Sequence, residues 1–195
     1  MTAAPLAAVV LAAGSARRFG SDKLSAQFRG EPLVRHAIRA ARAAPVDRVI
    51  VVAAPGLDIG AWPGDPPVAA VRVDSAALSA SLKAGIAAAG DAAGLFVFLG
   101  DMPLVPPGVA ARLAAALGRG YAAIPRSDGR NGHPVLLSRR AFADIARLEG
   151  DEGAGKLLKA RDDVAFVDGS AKTVLLDIDR VEDLARLEHW GDDEA

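Results

Sequence analysis

The stretch Leu6-Ala7-Ala8-Val9-Val10-Leu11 decides the fold. It is apolar at every position, which is typical of a strand buried on both faces of a parallel sheet. Mostly apolar runs follow at 48–53 and 68–73, and a fully apolar run follows at 95–99. Helical segments are expected between them, at 31–44, up to Gly90 from a cap at Ser75 or Ser79, and at 106–117. This alternation predicts an α/β fold with a mostly parallel central sheet and helices on both faces.

The second half of the chain departs from this alternation of strands and helices. Short strands are expected at 121–124 and 135–137, where they would form a small antiparallel flap at one edge of the sheet. Helices are expected at 140–148, 155–161 and 181–188, and strands at 164–167 and 173–178. The prediction is a single domain over 1–190, followed by a disordered tail at 191–195.

Composition excludes several classes of protein. The chain has 195 residues, with 23 basic and 24 acidic side chains and no cysteine. Disulfides, a thiolate nucleophile and cysteine-ligated metals are therefore excluded, and the balanced charge argues against nucleic-acid binding. No Lys or Arg precedes the apolar N-terminal run, which is the wrong charge order for a secretory signal, and the run is too short to span a bilayer. We expect a cytoplasmic protein without a membrane partner.

The segment after the first strand is rich in glycine and positive charge. Gly14 and Gly20 let backbone N–H groups approach an anion, and Arg18 and Lys23 can neutralise it. The spacing matches neither a Walker loop nor a dinucleotide fingerprint, so an ordinary turn stays open as the alternative. Residues 1–45 carry seven basic and two acidic side chains, which suits an anionic ligand. Solvated positions on one helix face are the simpler expectation for Arg35, Arg39 and Arg42.

Carboxylates stand at two further places. Asp101 follows the most apolar strand, where a carboxylate is costly to bury and is well placed to meet hydrated Mg²⁺. Asp177 and Asp179 alternate in a predicted strand, which places both carboxylates on one face. A turn or cap role for the first and an ion pair for the other two are the alternatives. A cationic loop for a polyphosphate and separated aspartates for Mg²⁺ together predict phosphoryl or nucleotidyl transfer.

Six motifs extend this prediction over nearly the whole chain. They are Leu-Ala-Ala-Gly-Ser-Ala-Arg-Arg-Phe-Gly-Ser-Asp-Lys at 11–23, Ser-Ala-Ser-Leu-Lys-Ala-Gly at 79–85, Gly-Asp-Met-Pro-Leu at 100–104, Gly-Arg-Asn-Gly-His-Pro-Val at 129–135, Gly-Asp-Glu-Gly-Ala at 150–154, and Asp-Ile-Asp at 177–179 with Glu-Asp-Leu at 182–184. In this order they resemble the nucleotidyltransferases with a glycosyltransferase-A-like Rossmann fold. Within that family, the chain is most similar to the molybdenum cofactor cytidylyltransferase group. Ala16, in place of serine, and Phe19, in place of methionine, depart from the usual signature.

The resemblance implies a role for each matching residue. Catalysis would fall to Arg18, Lys23 and Asp101, the first two stabilising the triphosphate as pyrophosphate leaves. Mg²⁺ would be held by Asp101, with Asp179 and Asp177 as a second contact. Nucleotide binding would involve Leu11, Ala12, Ala13, Gly14, Ser15, Gly20, Lys23, Ser79, Ser81 and Gly85. The acceptor would be contacted by two residues of the fourth motif, His133 and Pro134.

The implied reaction is the Mg²⁺-dependent transfer of a cytidylyl group from CTP to the phosphate of molybdopterin, with release of pyrophosphate. Ala12 and Ala13 replace the paired glycines of guanylyl-transferring relatives, which favours a pyrimidine by resemblance. Three alternatives stay open. They are a guanylyltransferase that uses GTP with the molybdenum cofactor, a cytidylyltransferase for a sugar or polyol phosphate, and a non-catalytic protein that binds the cofactor for a molybdenum hydroxylase. The missing serine at Ala16 is the support for the last of these.

Overall fold

The computed structural model describes residues 5–14, 19, 22–188 and 190. Its strands are β1 (Leu6–Ala12), β2 (Gln27–Phe28), β3 (Glu31–Pro32), β4 (Arg48–Ala53), β5 (Val68–Arg72), β6 (Gly94–Leu99), β7 (Ala122–Ser127), β8 (Arg130–Asn131), β9 (Val135–Ser138) and β10 (Val164–Val167). Within this part of the chain, seven strands of the main sheet lie in the order β10-β7-β9-β6-β1-β4-β5, and β8 pairs with β7. The predicted tail at 191–195 lies outside the described residues.

The main sheet is mostly parallel, as predicted. β1 pairs in parallel with both β4 and β6, and β5 and β10 join their neighbours in parallel. β9 runs antiparallel between β6 and β7. The antiparallel pairing expected for 121–124 and 135–137 is therefore present, but it lies inside the sheet. A separate small antiparallel sheet is formed by β2 and β3.

Helices cover both faces of the sheet, as the apolar strands predict. They are α1 (Leu33–Arg42), α2 (Leu78–Ala89), α3 (Val109–Leu117), α4 (Phe142–Ile145), α5 (Ala154–Lys159) and α6 (Val181–Glu188), with short 3-10 helices at Lys23–Ser25, Arg139–Ala141 and Lys172–Leu175. Alternate residues of β1 enter two different cores, because successive side chains of a strand point to opposite faces. Ala8 and Val10 pack on the side of α1, α3 and α6, whereas Ala7 and Val9 pack on the side of α2, α4 and α5.

Three local predictions differ from the structure. The segment 173–178 forms a 3-10 turn and then irregular backbone, so the strand predicted there is wrong. α1 begins at Leu33, because Glu31 and Pro32 pair with β2. Neither Ser75 nor Ser79 caps α2, whose N-cap residue is Ala77 without a side-chain hydrogen bond. No helix in the described part of the chain is both long and apolar enough to cross a bilayer.

The arginines of α1 hold a neighbouring loop and are not simply solvated. Arg42 donates hydrogen bonds to the carbonyl oxygens of Pro63, Asp65 and Pro66. The guanidinium groups of Arg35 and Arg42 lie over the ring of Trp62, at 5.3 and 5.7 Å from its centroid. The expectation of free helix-face charges is therefore wrong for these two residues, because the proline-rich loop at 54–67 folds back over α1.

Candidate active site

The carboxyl ends of β1 and β6 lie side by side and begin the site. Leu11 is in register with Leu99, and the Gly100 amide donates to the Leu11 carbonyl oxygen at 2.9 Å. A Cβ at Gly100 would lie 3.0 Å from that same oxygen, so the close approach favours glycine. The first loop after β1 and Asp101 after β6 therefore emerge at the same edge, where ligands of open α/β sheets bind.

Lys23 reaches this edge from the 3-10 turn at Lys23–Ser25. Its Nζ lies 2.8 Å from Oδ2 of Asp101 and 3.5 Å from Oδ1 of Asp179. The Lys23 side chain is only 12% exposed, whereas that of Asp179 is 53% exposed. The structure thus brings together one predicted cation and two predicted carboxylates that are 78 and 156 positions away along the chain.

Three carboxylates form an acidic cluster, which we define as Asp101, Asp177 and Asp179. One oxygen of each lies within 4.8 Å of the others. The segment carrying the last two is held by the buried Ile178, whose amide donates to the Asp101 carbonyl oxygen at 3.0 Å. Hard carboxylate oxygens at this spacing fit Mg²⁺ or another oxygen-preferring divalent ion. The structure brings the three predicted aspartates together, although Asp177 and Asp179 do not lie on a strand.

Asp183 is a residue of this site that the sequence argument missed. Its Oδ2 accepts hydrogen bonds from the N–H groups of Asp179 and Arg180, at 3.0 and 2.9 Å. Burial works against its charged form, but these hydrogen bonds outweigh it and lower the pKa of Asp183. Asp183 is the third residue of α6, so this is one half of a capping box, and it holds the Asp179 backbone in place. The Glu-Asp-Leu motif at 182–184 was the available signal.

The pKa values of two groups of the site, Asp177 in the acidic cluster and His133, depend on burial and on the charges of the cluster. Burial of the carboxyl group and the nearby charges of Asp179 and Asp101 raise the pKa of Asp177, against the opposing effect of Lys23. Burial lowers the pKa of His133, although the two carboxylates at 101 and 177 favour its charged form. Burial therefore favours the neutral form of the His133 imidazole, against the effect of these two carboxylates.

Three residues of α2 that are predicted to bind the nucleotide differ in what surrounds them. Ser79 is buried and donates from both its amide and its hydroxyl to the Gly150 carbonyl oxygen, so it joins α2 to the Gly-Asp-Glu-Gly loop. Gly85 lies against β1, where a Cβ would come within 2.7 Å of a Val9 methyl group, so close helix–sheet packing accounts for this glycine. Ser81 is buried on the same helix. Nucleotide contact by these three residues stays a prediction.

A cavity of about 430 Å³ opens beside the carboxyl ends of β1 and β6. Leu11 and Leu99, the strand residues beside the cluster, are part of its wall, as is His133. The rest of the wall is mostly apolar and comes from α2, α5 and the sheet, including Leu78, Leu82, Val97, Ile124 and Leu158. Its polar and charged members are Asn131, Lys159 and Arg161. Pro134 is buried next to His133 and is not among the wall residues.

One aromatic side chain of the cavity wall is unusually exposed. Phe166 is 44% exposed, and the guanidinium of Arg126 lies 3.7 Å from its ring centroid. Arg161, also in the wall, lies 3.8 Å from the ring centroid of Tyr121 and pairs with Asp163 at 2.7 Å. The cavity thus combines an apolar interior with an accessible aromatic ring and fixed cations. Sequence reasoning did not find these residues, since they lie outside all six motifs.

The remaining predicted residues lie at the end of β1 and on the loop that follows it. Ala12 and Ala13 are buried at the end of β1, and a Cβ at Gly14 would meet no described atom within 4 Å. No described atom therefore crowds the backbone of Gly14, which follows β1 at the same edge of the sheet as Asp101. Three further residues predicted for this loop, Ser15, Arg18 and Gly20, lie outside the described residues.

Comparison with known proteins identifies the family. Residues 8–164 match the model of the MobA-like NTP transferase domain. The chain belongs to this family. It is thus a nucleotidyltransferase, as the glycine loop and the acidic cluster predict.

Members of known sequence and structure agree with this assignment. The chain is 28% identical to the purine catabolism protein PucB of Bacillus subtilis over 169 residues, which cover 80% of this chain and 81% of that protein. It is 30% identical to the Mycobacterium sp. strain JC1 homologue of Rv0371c, with a TM-score of 0.81 and 94% of both chains covered. Rv0371c of Mycobacterium tuberculosis in complex with manganese is 28% identical, with a TM-score of 0.74 over 95% of this chain and 99% of that one.

Proposed function

We propose that the protein transfers a cytidylyl group from CTP to the phosphate of molybdopterin, with Mg²⁺ as the divalent ion. The observation that carries the proposal is the convergence of Lys23 and the acidic cluster beside the backbone of Gly14. A cation, three hard oxygen ligands and an open glycine backbone are what a magnesium-bound triphosphate requires. The nucleotide-binding roles expected for Arg18 and its neighbours on the first loop belong to this proposal.

The triphosphate would lie between the first loop and the acidic cluster. Gly14 offers a backbone that phosphate oxygens can approach closely, and the Lys23 ammonium lies on Asp101 at the same edge of the sheet. Asp101 would hold Mg²⁺ together with Asp177 and Asp179. When bound, this ion would neutralise phosphate charge and fix the orientation of the triphosphate.

The cavity would receive the acceptor. Its apolar wall suits an organic ring system. The partly exposed ring of Phe166 offers a surface for stacking a planar heterocycle such as a pterin. Lys159 and Arg161 supply positive charge for a phosphorylated acceptor. Because Leu99 of the cavity wall is two residues from Asp101, the acceptor phosphate would lie on the side of the nucleotide phosphates.

The chemical step needs no protein nucleophile. An oxygen of the acceptor phosphate attacks the α-phosphorus of CTP, opposite the leaving group. The bond from the α-phosphorus to the oxygen that bridges to the β-phosphorus breaks, and pyrophosphate leaves with that electron pair. Lys23 stabilises the negative charge that develops on the leaving oxygens. An acceptor phosphate is already ionised at pH 7, so a neutral His133 is compatible with this chemistry.

The test is a matrix of nucleotides and acceptors. The purified protein is incubated with Mg²⁺ and each of the four ribonucleoside triphosphates in turn. Each nucleotide is combined with one of three acceptors, which are molybdopterin, a polyol phosphate and a sugar phosphate. The pyrophosphate released is measured. We expect release with CTP and molybdopterin. Release with GTP, or with another acceptor, would replace the base or the acceptor in the proposal. No release with any combination would contradict the proposed reaction, and the variant Asp101→Asn is the negative control.

A further inference from the structure

Lys23 lies on the same carboxylate oxygens that a divalent ion would need. Its Nζ is 2.8 Å from Asp101 and 3.5 Å from Asp179, which are two of the three members of the acidic cluster. The Lys23 side chain is only 12% exposed, so its ammonium is held against these carboxylates. In this structure, the ammonium therefore supplies positive charge to the cluster.

The ammonium and a divalent ion would oppose each other at this position. Mg²⁺ binds carboxylate oxygens at about 2.0–2.1 Å. If it shared Oδ2 of Asp101 with an unmoved Lys23, the two cations would be at most about 5 Å apart, given the 2.8 Å contact. Their repulsion at that distance is strong in a partly enclosed site. A triphosphate removes the conflict, since it offers Lys23 new oxygens to bind.

We propose that Lys23 is an internal counter-ion that moves from Asp101 to the triphosphate when metal and nucleotide bind. This inference rests on the metal and triphosphate sites of the proposed function, but not on the identity of the acceptor. Metal and nucleotide are then coupled through one side chain. The metal alone binds weakly because it competes with Lys23, and each ligand strengthens the binding of the other.

The test measures metal binding without turnover. Mn²⁺ is titrated into the wild-type protein and into Lys23→Met, Lys23→Arg and Lys156→Met, and free Mn²⁺ is followed by electron paramagnetic resonance. Without nucleotide, we expect Lys23→Met to bind Mn²⁺ about tenfold more tightly than the wild type, because the competing charge is gone. Lys23→Arg keeps the charge and Lys156→Met removes an exposed lysine that pairs with Glu152, so both should match the wild type.

Nucleotide provides the second half of the test. In the wild type, the α,β-methylene analogue of CTP should tighten Mn²⁺ binding, and this gain should be about tenfold smaller in Lys23→Met. Thermal unfolding provides a readout of folding. Lys23→Met should melt at a lower temperature than the wild type without metal, and Mn²⁺ should raise its melting temperature by more than it raises that of the wild type.

Two results would overturn the inference. Equal or weaker Mn²⁺ binding by Lys23→Met would show that Lys23 supports Asp101 and does not compete with the metal. Absence of Mn²⁺ binding in all four proteins would remove the metal site itself, and with it this part of the proposed function. A negative result for molybdopterin in the acceptor matrix leaves the Mn²⁺ titration fully interpretable, so the two failures are distinguishable.

Discussion

The amide and the hydroxyl of Ser79 both donate to one acceptor, the carbonyl oxygen of Gly150, at 3.1 and 2.8 Å. This pair of hydrogen bonds joins the first turn of α2 to a loop 71 positions further along the chain. The contact is tight, since a Cβ at Gly153 would lie 2.7 Å from Leu78. Both Leu78 and Gly153 belong to the cavity wall, so Ser79 determines the shape of the proposed acceptor site.

Replacement of Ser79 should therefore loosen this wall. We expect Ser79→Ala to lower the free energy of unfolding by about 1 kcal/mol, the usual net contribution of one hydrogen bond. Amide hydrogens at 150–153 should exchange faster, while those of β4, which is remote from this loop, should keep their rates. Urea unfolding and native-state hydrogen exchange measure the two effects. Unchanged exchange at 150–153 would show that other contacts hold the loop.

Asp101 should be required for turnover. We expect Asp101→Asn to lower kcat/KM for the acceptor by at least about 100-fold. A neutral amide is a poor ligand for a divalent ion, and it no longer attracts Lys23. The matched control is Asp91→Asn, which removes a carboxylate that is 86% exposed and pairs with Arg48 at 2.9 Å. Its activity should stay within about twofold of the wild type. Pyrophosphate release under saturating nucleotide measures both variants, and equal losses would contradict a special role for Asp101.

Phe166 should contribute to acceptor binding and not to nucleotide binding. We expect Phe166→Ala to raise the KM for the acceptor about fivefold, which corresponds to the loss of about 1 kcal/mol of stacking. Phe166→Tyr keeps the ring and should restore the wild-type value. Steady-state kinetics with each substrate varied in turn distinguishes the two KM values. If the nucleotide KM rises instead, the cavity holds the base and not the acceptor.

Asp183 should stabilise the fold in a pH-dependent way. Its pKa is lowered in the folded state, so its stabilising effect is present above the unfolded pKa of about 3.9 and is lost as the pH falls through the lower, folded pKa. We expect Asp183→Ala to lose about 1 kcal/mol at pH 7, as for other helix caps. The difference from the wild type should shrink at a pH below the unfolded pKa of about 3.9. Urea unfolding at both pH values tests this, and a constant difference would indicate a packing effect.

Sequence analysis predicted the parts of the site that depend on local pattern. The unbroken apolar character of β1 and β6 predicts buried parallel strands, and parallel strands place Gly14 and Asp101 at the same edge. The family resemblance brought Asp177 and Asp179 to that edge as well. The strand predicted for 173–178 is wrong, because single long-range bonds hold this segment, from His133 to Val174 and from Ile178 to Asp101.

Other features depend on contacts that no local pattern contains. The role of Ser79 follows from a carbonyl group far along the chain, and the stacking of Arg126 on Phe166 joins β7 to β10. The position of β9 also depends on pairing, since a four-residue strand with three apolar side chains fits the edge or the middle of a sheet equally well. Phe166 and Arg161, which line the cavity, were missed for the same reason.

The placement of β9 has a consequence for how the two substrates meet. Residues up to 101 build most of the donor side, residues from 122 to 167 build much of the acceptor side, and one continuous hydrogen-bonded sheet runs through both. In the proposed function, the donor and acceptor sites would therefore be separated by the spacing of the strands between them, about 4.8 Å each. Exchange of the 122–167 segment between homologues should change which acceptor is modified while the nucleotide stays the same.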